Sequence, residues 1–370
     1  QITTTTGPGG VVGDTYDVVV TNPDGCTDKV PHKAVAIVPG PIVFYADPEV
    51  VYNGVNTRVT VYATTLTLPL PADTVTIVPT GQAGPVTVLT WSPVPNHPNR
   101  VQVVIPKDTP PGVYDLVMLD ATGCTANLPM AIRVTADLTI TLADVRPSFG
   151  WTNAETAVSI FRDKAAPAPA DKPFVTTPRG FLNPTNPQAS DIAIPLESTA
   201  FVDDATLTAV VPKGQPVHEY DLIIVNPDGA VGLLPDAFSV VADEPPTISS
   251  VTPSSIVGAT GQVVTVTGKG FNGSTITLEC KDAAGAALPA PGVVSGMATC
   301  DGMGHCTQGA TIDASALPSG TICVLVLTNA DGSFFEYSAI GVTNASLNLS
   351  APKKGTDLNV GRRALVAASG

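Results

Sequence analysis

The sequence predicts an all-β protein, a tandem array of β-sandwich domains in rod-like order, and three observations predict it. An apolar strand phrase ending in an Asn/Asp-Gly turn recurs four times at intervals of about one sandwich domain. Glycine and proline, at 33 and 36 of 370 residues, suit short strands joined by many turns. Hydrophobic residues make up 44% of the chain, and Val, Ile, Leu and Thr fall in short runs, which argues against disorder and leaves little room for helix.

The four copies read Tyr16-Asp-Val-Val-Val-Thr-Asn-Pro-Asp-Gly25, Tyr114-Asp-Leu-Val-Met-Leu-Asp-Ala-Thr-Gly123, Tyr220-Asp-Leu-Ile-Ile-Val-Asn-Pro-Asp-Gly229 and Cys323-Val-Leu-Val-Leu-Thr-Asn-Ala-Asp-Gly332. Their last glycines lie 98, 106 and 103 residues apart. A second phrase opens each repeat, a Pro-flanked strand that turns into a Val/Thr strand. It is clearest in Pro245-Pro-Thr-Ile-Ser-Ser-Val251-Thr-Pro253 followed by Val263-Val-Thr-Val-Thr-Gly-Lys-Gly270-Phe271. Pro41 to Pro48 with Val59–Tyr62, Leu138 to Pro147 with Ala157–Phe161, and Leu347 to Pro352 with Ala364–Gly370 are its counterparts.

Alternating ends and starts give the expected organisation. Residues 1–39 form the C-terminal half of a repeat, 40–136, 137–243 and 244–343 form whole sandwiches, and 344–370 form the N-terminal half of another. The linkers are a few residues long, and proline in Asp243-Glu-Pro-Pro246 restricts their backbone, so a stiff rod is expected. Ala166–Pro173, rich in Pro and Ala, is an extended surface insertion in the second whole sandwich. In Asn-Pro-Asp-Gly, Pro presets φ, Asp tolerates turn geometry and Gly supplies a positive φ. Too few carboxylates accompany the phrase for a calcium site. Tyr16, Tyr114 and Tyr220 share one strand position, that of a core aromatic with a local partner for its hydroxyl.

With the Tyr-Asp-(Leu/Val)-x-(Val/Ile)-x-Asn-Pro-Asp-Gly ending and the Ile-x-x-Val-x-Pro start leading into Val-Thr-Gly-Lys-Gly-Phe, the chain resembles the IPT/TIG family, most strongly from Pro245 to Gly332. The resemblance implies early-set immunoglobulin-like sandwiches of the kind found in cell-surface receptors, some transcription factors and tandem arrays on bacterial cell surfaces. It brings no shared catalytic residues. DNA-binding members use basic loops, which this sequence lacks, and the formal charge of −14 repels a phosphate backbone. No apolar run is long enough to span a bilayer.

Six cysteines point to an oxidising compartment, hence an extracellular or cell-surface location. Four lie in 244–343, where three pairings are possible; strand adjacency favours Cys280 with Cys323 and Cys300 with Cys306. Cys26 and Cys124 occupy equivalent positions one domain length apart, so each is expected to be free or to pair outside this segment. A zinc site from these cysteines and His305 is disfavoured by the Cys-x5-Cys spacing. His32, His97, His218 and His305 form no ligand or nucleophile pattern. Gly268-Lys-Gly-Phe-Asn-Gly273 matches a dinucleotide-binding pattern but leads into another strand, so it reads as a turn. Asn272, Asn344 and Asn348 begin formal glycosylation motifs.

With no catalytic, cofactor or metal residues to assign, the expected function is non-enzymatic: a structural or assembly segment of an extracellular fibre, stalk or filament. Its partners would be further repeats, covalent or supplied by self-association through shared strands. The competing reading is an adhesin or a carbohydrate- or protein-binding module of a larger surface protein. There Trp91, before the Pro-rich loop Ser92 to Pro98, is the candidate ligand contact, set against ordinary core packing.

Overall fold

The computed structural model describes residues 11–343 except 12, 37–39, 67, 82–83, 85, 122 and 165–170; of residues 30–36, 338 and 339 it describes the backbone alone. The expected half repeat at 344–370, with Asn344 and Asn348, and most of the Pro/Ala insertion lie outside the described residues. Every regular element among the described residues is a strand. The chain divides into two compact units, Gln1–Ser148 with Ala154–Val240, and Phe149–Asn153 with Val241–Gly370.

The first unit begins with an antiparallel hairpin, Thr15–Thr21 against Thr27–Ala36. A two-sheet sandwich follows. One sheet runs Ile42–Asp47, Thr57–Thr64, His97–Ile105, Thr90–Val94; the other runs Val50–Tyr52, Thr125–Thr135, Gly112–Leu119, Val75–Pro79, Thr87–Val88. Ser92 to Pro98, expected as a loop, is instead largely a hairpin: Thr90–Val94 pairs with His97–Ile105 and the chain reverses at Pro95 and Asn96. Asn96 takes the positive φ, 62°, that such a tight reversal needs.

A second sandwich has the same plan. Leu142–Arg146, Thr156–Arg162, Thr206–Val211 and Glu197–Asp203 make one sheet; Asp137–Ile140, Ala230–Val241, His218–Val225, Arg179–Pro184 and Ile194–Pro195 make the other. The second unit holds a third sandwich. Its sheets are Thr247–Thr252, Gln262–Lys269, His305–Asp313, Gly292–Ser295, and Ser255–Val257, Phe334–Thr343, Ile322–Thr328, Thr275–Lys281. Pairing is antiparallel except where a short first-strand segment crosses to the last strand, as in Val50–Tyr52 with Thr125–Thr135 and Ser255–Val257 with Phe334–Thr343. That crossover lets the opening segment of each sandwich serve both sheets.

Period-two patterning builds each core. In Thr57–Thr64 every second residue is buried, and Val59 and Val61 are wholly inaccessible. One continuous cluster forms per sandwich, with Leu116 and Met118 in the first, Leu207 and Leu222 in the second, and Val266 and Leu325 in the third.

The repeated phrase closes the same turn four times. The amides of Gly25, Gly123, Gly229 and Gly332 donate to the carbonyls of Asn22, Asp120, Asn226 and Asn329, at 2.9, 3.0, 2.9 and 3.0 Å. Each glycine has φ between 82° and 93°, where a Cβ would be strained. The Asp24, Asp228 and Asp331 carboxylates accept the amide two residues on. Tyr114 and Tyr220 are buried and donate their hydroxyls to the carbonyls of Pro110 and Pro216, four residues back. Burial pushes both phenols above their ordinary pKa. The aspartate after each tyrosine bonds across to the next strand. Asp115 and Asp221 accept the amides of Met130 and Asp236, fifteen residues on in both cases. Both donor residues sit at positive φ, where the last strand bulges against the tyrosine strand.

Candidate functional site

The strand His218–Val225 places side chains alternately on the two faces of its sheet. Leu222 and Ile224 enter the core of the second sandwich. Ile223 and Val225 point the other way and are as deeply buried, at 0% and 2% exposed, because the first sandwich covers them. Phe181, Val231 and Leu233 from neighbouring strands join Ile223 and Val225, and Val50, Tyr52 and Val55 of the first sandwich pack on them. Burial pushes the Tyr52 phenol upward in pKa.

Polar contacts frame this apolar junction. The Asn56 amide donates to the carbonyls of Ala189 and Asp191 at 2.9 and 2.7 Å, its side-chain oxygen accepts the Lys107 amide at 2.8 Å, and its main-chain carbonyl accepts the Ala193 amide at 2.9 Å. Three of those four bonds cross from one sandwich to the other. Thr135 donates its hydroxyl to Gly229 at 2.7 Å, and Arg179 pairs with Asp47. Gly229 is required by its φ of 93°; a Cβ there would also come 2.7 Å from the Arg133 guanidinium, the movable end of a long side chain. An apolar centre with a hydrogen-bonded rim is the general anatomy of a protein interface.

In the second unit Phe149 meets Phe334 edge-on, ring centroids 5.2 Å apart, and Trp151 donates its indole NH to the Ala242 carbonyl at 2.9 Å. Phe149 and Trp151 belong to a short strand, Phe149–Trp151, at the chain position that Val50–Tyr52 occupies one repeat earlier.

Turn chemistry alone misses what the asparagine of the repeated phrase does. Asn226 and Asn329 are buried, and each ties its hairpin to a distant loop. Asn226 donates to the Pro173 carbonyl at 2.9 Å and accepts from the Val175 amide; Asn329 donates to the Gly270 carbonyl at 2.7 Å and accepts from Asn272 at 3.0 Å. Both lie first in the turn, opposite the loop that precedes the next strand.

Disulfides join Cys280 to Cys323 and Cys300 to Cys306, each between directly opposed residues of neighbouring strands. Cys26 is exposed and Cys124 half-buried, both with free thiols. With Cys300 and Cys306 bonded to each other, no thiolate is left beside His305, whose ring nitrogen lies 3.1 Å from the Asp301 carboxylate. Among the described residues no group of three His, Cys, Asp or Glu side chains is placed to hold a metal ion. Gly268–Gly273 joins the strands Gln262–Lys269 and Thr275–Lys281, and a Cβ at Gly268 would run into the Thr247 carbonyl. Trp91 lies opposite Val103, on the core face of its sheet, half-buried against the first core. Among the described residues no helix is long and apolar enough to cross a membrane.

Among solved structures, the chain is similar to the full extracellular region of plexin A4, at 13% identity and a TM-score of 0.27 over 86% of this chain and 26% of that one. It spans about a quarter of that plexin's length. It is also similar to Rst D1-D2, at 11% identity and a TM-score of 0.23 over 56% of this chain and 100% of that one. Murine CEACAM1b follows at 13% identity and a TM-score of 0.17 over 54% and 100%. No curated protein matches the chain in sequence. The IPT/TIG domain model matches residues 246–284, which span the first strands of the third sandwich, the turn at Gly268–Gly273 and the strand Thr275–Lys281 that carries Cys280. Within this all-β, immunoglobulin-like chain, residues 246–284 of the third sandwich thus carry the match to the IPT/TIG domain family.

Proposed function

We propose that the chain is a non-enzymatic structural segment of an extracellular fibre, stalk or surface filament, built from repeats at 40–136, 137–243 and 244–343. The first two sandwiches in it are fixed to one another instead of being strung on a free linker. The junction in the first unit carries the reading: Phe181, Ile223, Val225, Val231 and Leu233 would leave an apolar sheet face open to water if the first sandwich swung away. A binding module on a flexible tether has no use for such a seal, whereas a spacer that must resist bending does. Two disulfides in one sandwich suit an oxidising exterior.

Nuclear spin relaxation on the intact chain, with isoleucine methyls labelled, tests the proposal. A spacer requires Ile105 and Ile132 of the first sandwich to tumble with the same correlation time and axis as Ile160 and Ile224 of the second. Independent tumbling of the two groups would overturn it.

A further inference from the structure

We propose that the outer face of the sheet Ile42–Asp47, Thr57–Thr64, His97–Ile105, Thr90–Val94 is a binding platform for a neutral polysaccharide. The proposal is independent of the spacer reading. Across three neighbouring strands of that face Tyr45 lies opposite Tyr62, and Tyr62 lies opposite Arg100. The tyrosine rings are 5.5 Å apart and tilted by 43°, and the Arg100 guanidinium carbon sits 4.8 Å from the Tyr62 ring centre. These three side chains make a continuous row of flat groups about 10 Å long, given the ordinary spacing of strands. Tyr45 is 39% exposed, and Phe44 and Ile42 on the same edge strand are 56% and 62% exposed.

The next row of the same face is polar. Asp47, Thr60, Gln102 and Ser92 are opposed in turn across all four strands. A line of flat aromatic and guanidinium groups, most open at Tyr45, beside a line of amide, hydroxyl and carboxylate groups matches a pyranose chain, whose axial C–H bonds pack on flat groups while its equatorial hydroxyls exchange hydrogen bonds at the rim. Charge selects the neutral class. Arg100 is engaged with the Tyr62 ring, Asp47 is paired with Arg179, and a formal charge of −14 repels an acidic polymer. Trp91 is no part of this platform, since it lies on the opposite, core-facing side of the sheet.

Native electrophoresis of the intact chain in gels containing β-glucan, xylan or mannan, with pull-down on cellulose and chitin and alginate as the acidic control, tests the platform. At least one neutral polymer is expected to retard or capture the protein, and alginate is not. Tyr45→Ala with Tyr62→Ala should weaken that binding at least about tenfold, the loss of roughly one to two ring contacts. Gln102→Ala, which leaves the rings in place, should weaken it less, and it serves alone if the double variant does not fold by circular dichroism. Trp91→Phe should leave it unchanged. Failure of every neutral polymer, or binding that survives both Tyr45/Tyr62 and Gln102 replacement, overturns the proposal. So does concentration-dependent sedimentation of the unliganded chain that Tyr45→Ala abolishes, because a second copy would then be the occupant of the face.

Discussion

Ile223 and Ile224 are neighbours on one strand, both 0% exposed, and they differ only in the face they present. Replacing either with alanine removes the same volume from a closed site, and such truncations cost about 2–5 kcal/mol. Ile224 lies in the core of the second sandwich, so its loss falls on that sandwich. Ile223 packs with Val55, and Val50 and Tyr52 lie against the same cluster, so part of its loss falls on the contact between sandwiches. If about half of the loss, near 2 kcal/mol, weakens the junction, amides in Val50–Asn56 should exchange with solvent roughly thirtyfold faster in Ile223→Ala than in the parent. Hydrogen exchange read by mass spectrometry on the intact chain resolves that segment. Ile224→Ala should leave Val50–Asn56 unchanged while accelerating exchange across His218–Val225. Equal effects of the two variants on Val50–Asn56, or none from Ile223→Ala, would refute the argument that the first sandwich seals the second.

Other perturbations test the repeated phrase and its neighbours. Asn329→Ala strands the Gly270 carbonyl and the Asn272 amide in a part-buried turn and should cost about 2–4 kcal/mol, read as a lower urea midpoint. The Thr80 hydroxyl, and after it the Met130 amide, hold the Asp115 carboxyl below its usual pKa. Its contribution is therefore fully present above the ordinary carboxylate range and is lost as pH falls through the lower, folded value. Asp115→Asn should flatten that part of the acid-unfolding curve, and an unchanged curve would count against it. Opening Cys280–Cys323, which bridges 43 residues, should cost about 4 kcal/mol on chain-entropy grounds, and opening Cys300–Cys306, which bridges 6, only about 2 kcal/mol. Denaturation of the paired alanine variants would show the order.

Sequence legibility followed the range of the forces involved. Turn geometry is local, so Asn22–Gly25 and its three counterparts could be read from Pro, Asp and Gly alone. The core faces followed from alternation, as in Thr57–Thr64. Asn226 and Asn329 were legible as turn formers but not as clamps, because Pro173 and Gly270 lie more than fifty residues away and nothing local marks them. The junction left only a partial signal. Leu222-Ile-Ile-Val225 is apolar on both faces, which permits cover on both, but Cys323-Val-Leu-Val-Leu327 is too, so the run alone does not single out the covered strand. In Ile322–Thr328, Cys323, Leu325 and Leu327 are buried while Val324, Val326 and Thr328 are half-buried. The tyrosines and arginine of the outer platform escaped notice because Tyr45, Tyr62 and Arg100 meet only through register across three strands.

One position in the repeat shows the same mechanical need met by two chemistries. Tyr114 lies opposite Pro79 and Tyr220 opposite Pro184; at the equivalent place in the third sandwich Cys323 lies opposite Cys280. In the first two sandwiches a buried phenol reaches back four residues and ties the start of its strand to the turn before it. Proline opposite has no amide hydrogen to offer the tyrosine strand, and the residue after it donates instead, Thr80 to Val113 and Thr185 to Glu219. A cysteine cannot reach the preceding turn, and the third sandwich instead joins the two opposed strands covalently, with both sulfurs' residues buried at 3% and 0% exposed. The anchor has moved from along the chain to across the sheet. Because a covalent tie closes a long loop, it also restrains the unfolded chain, which a hydroxyl bond to a neighbour four residues away does not do. The third sandwich is thus the one whose stability should fall most in a reducing medium, and the first two should hardly respond.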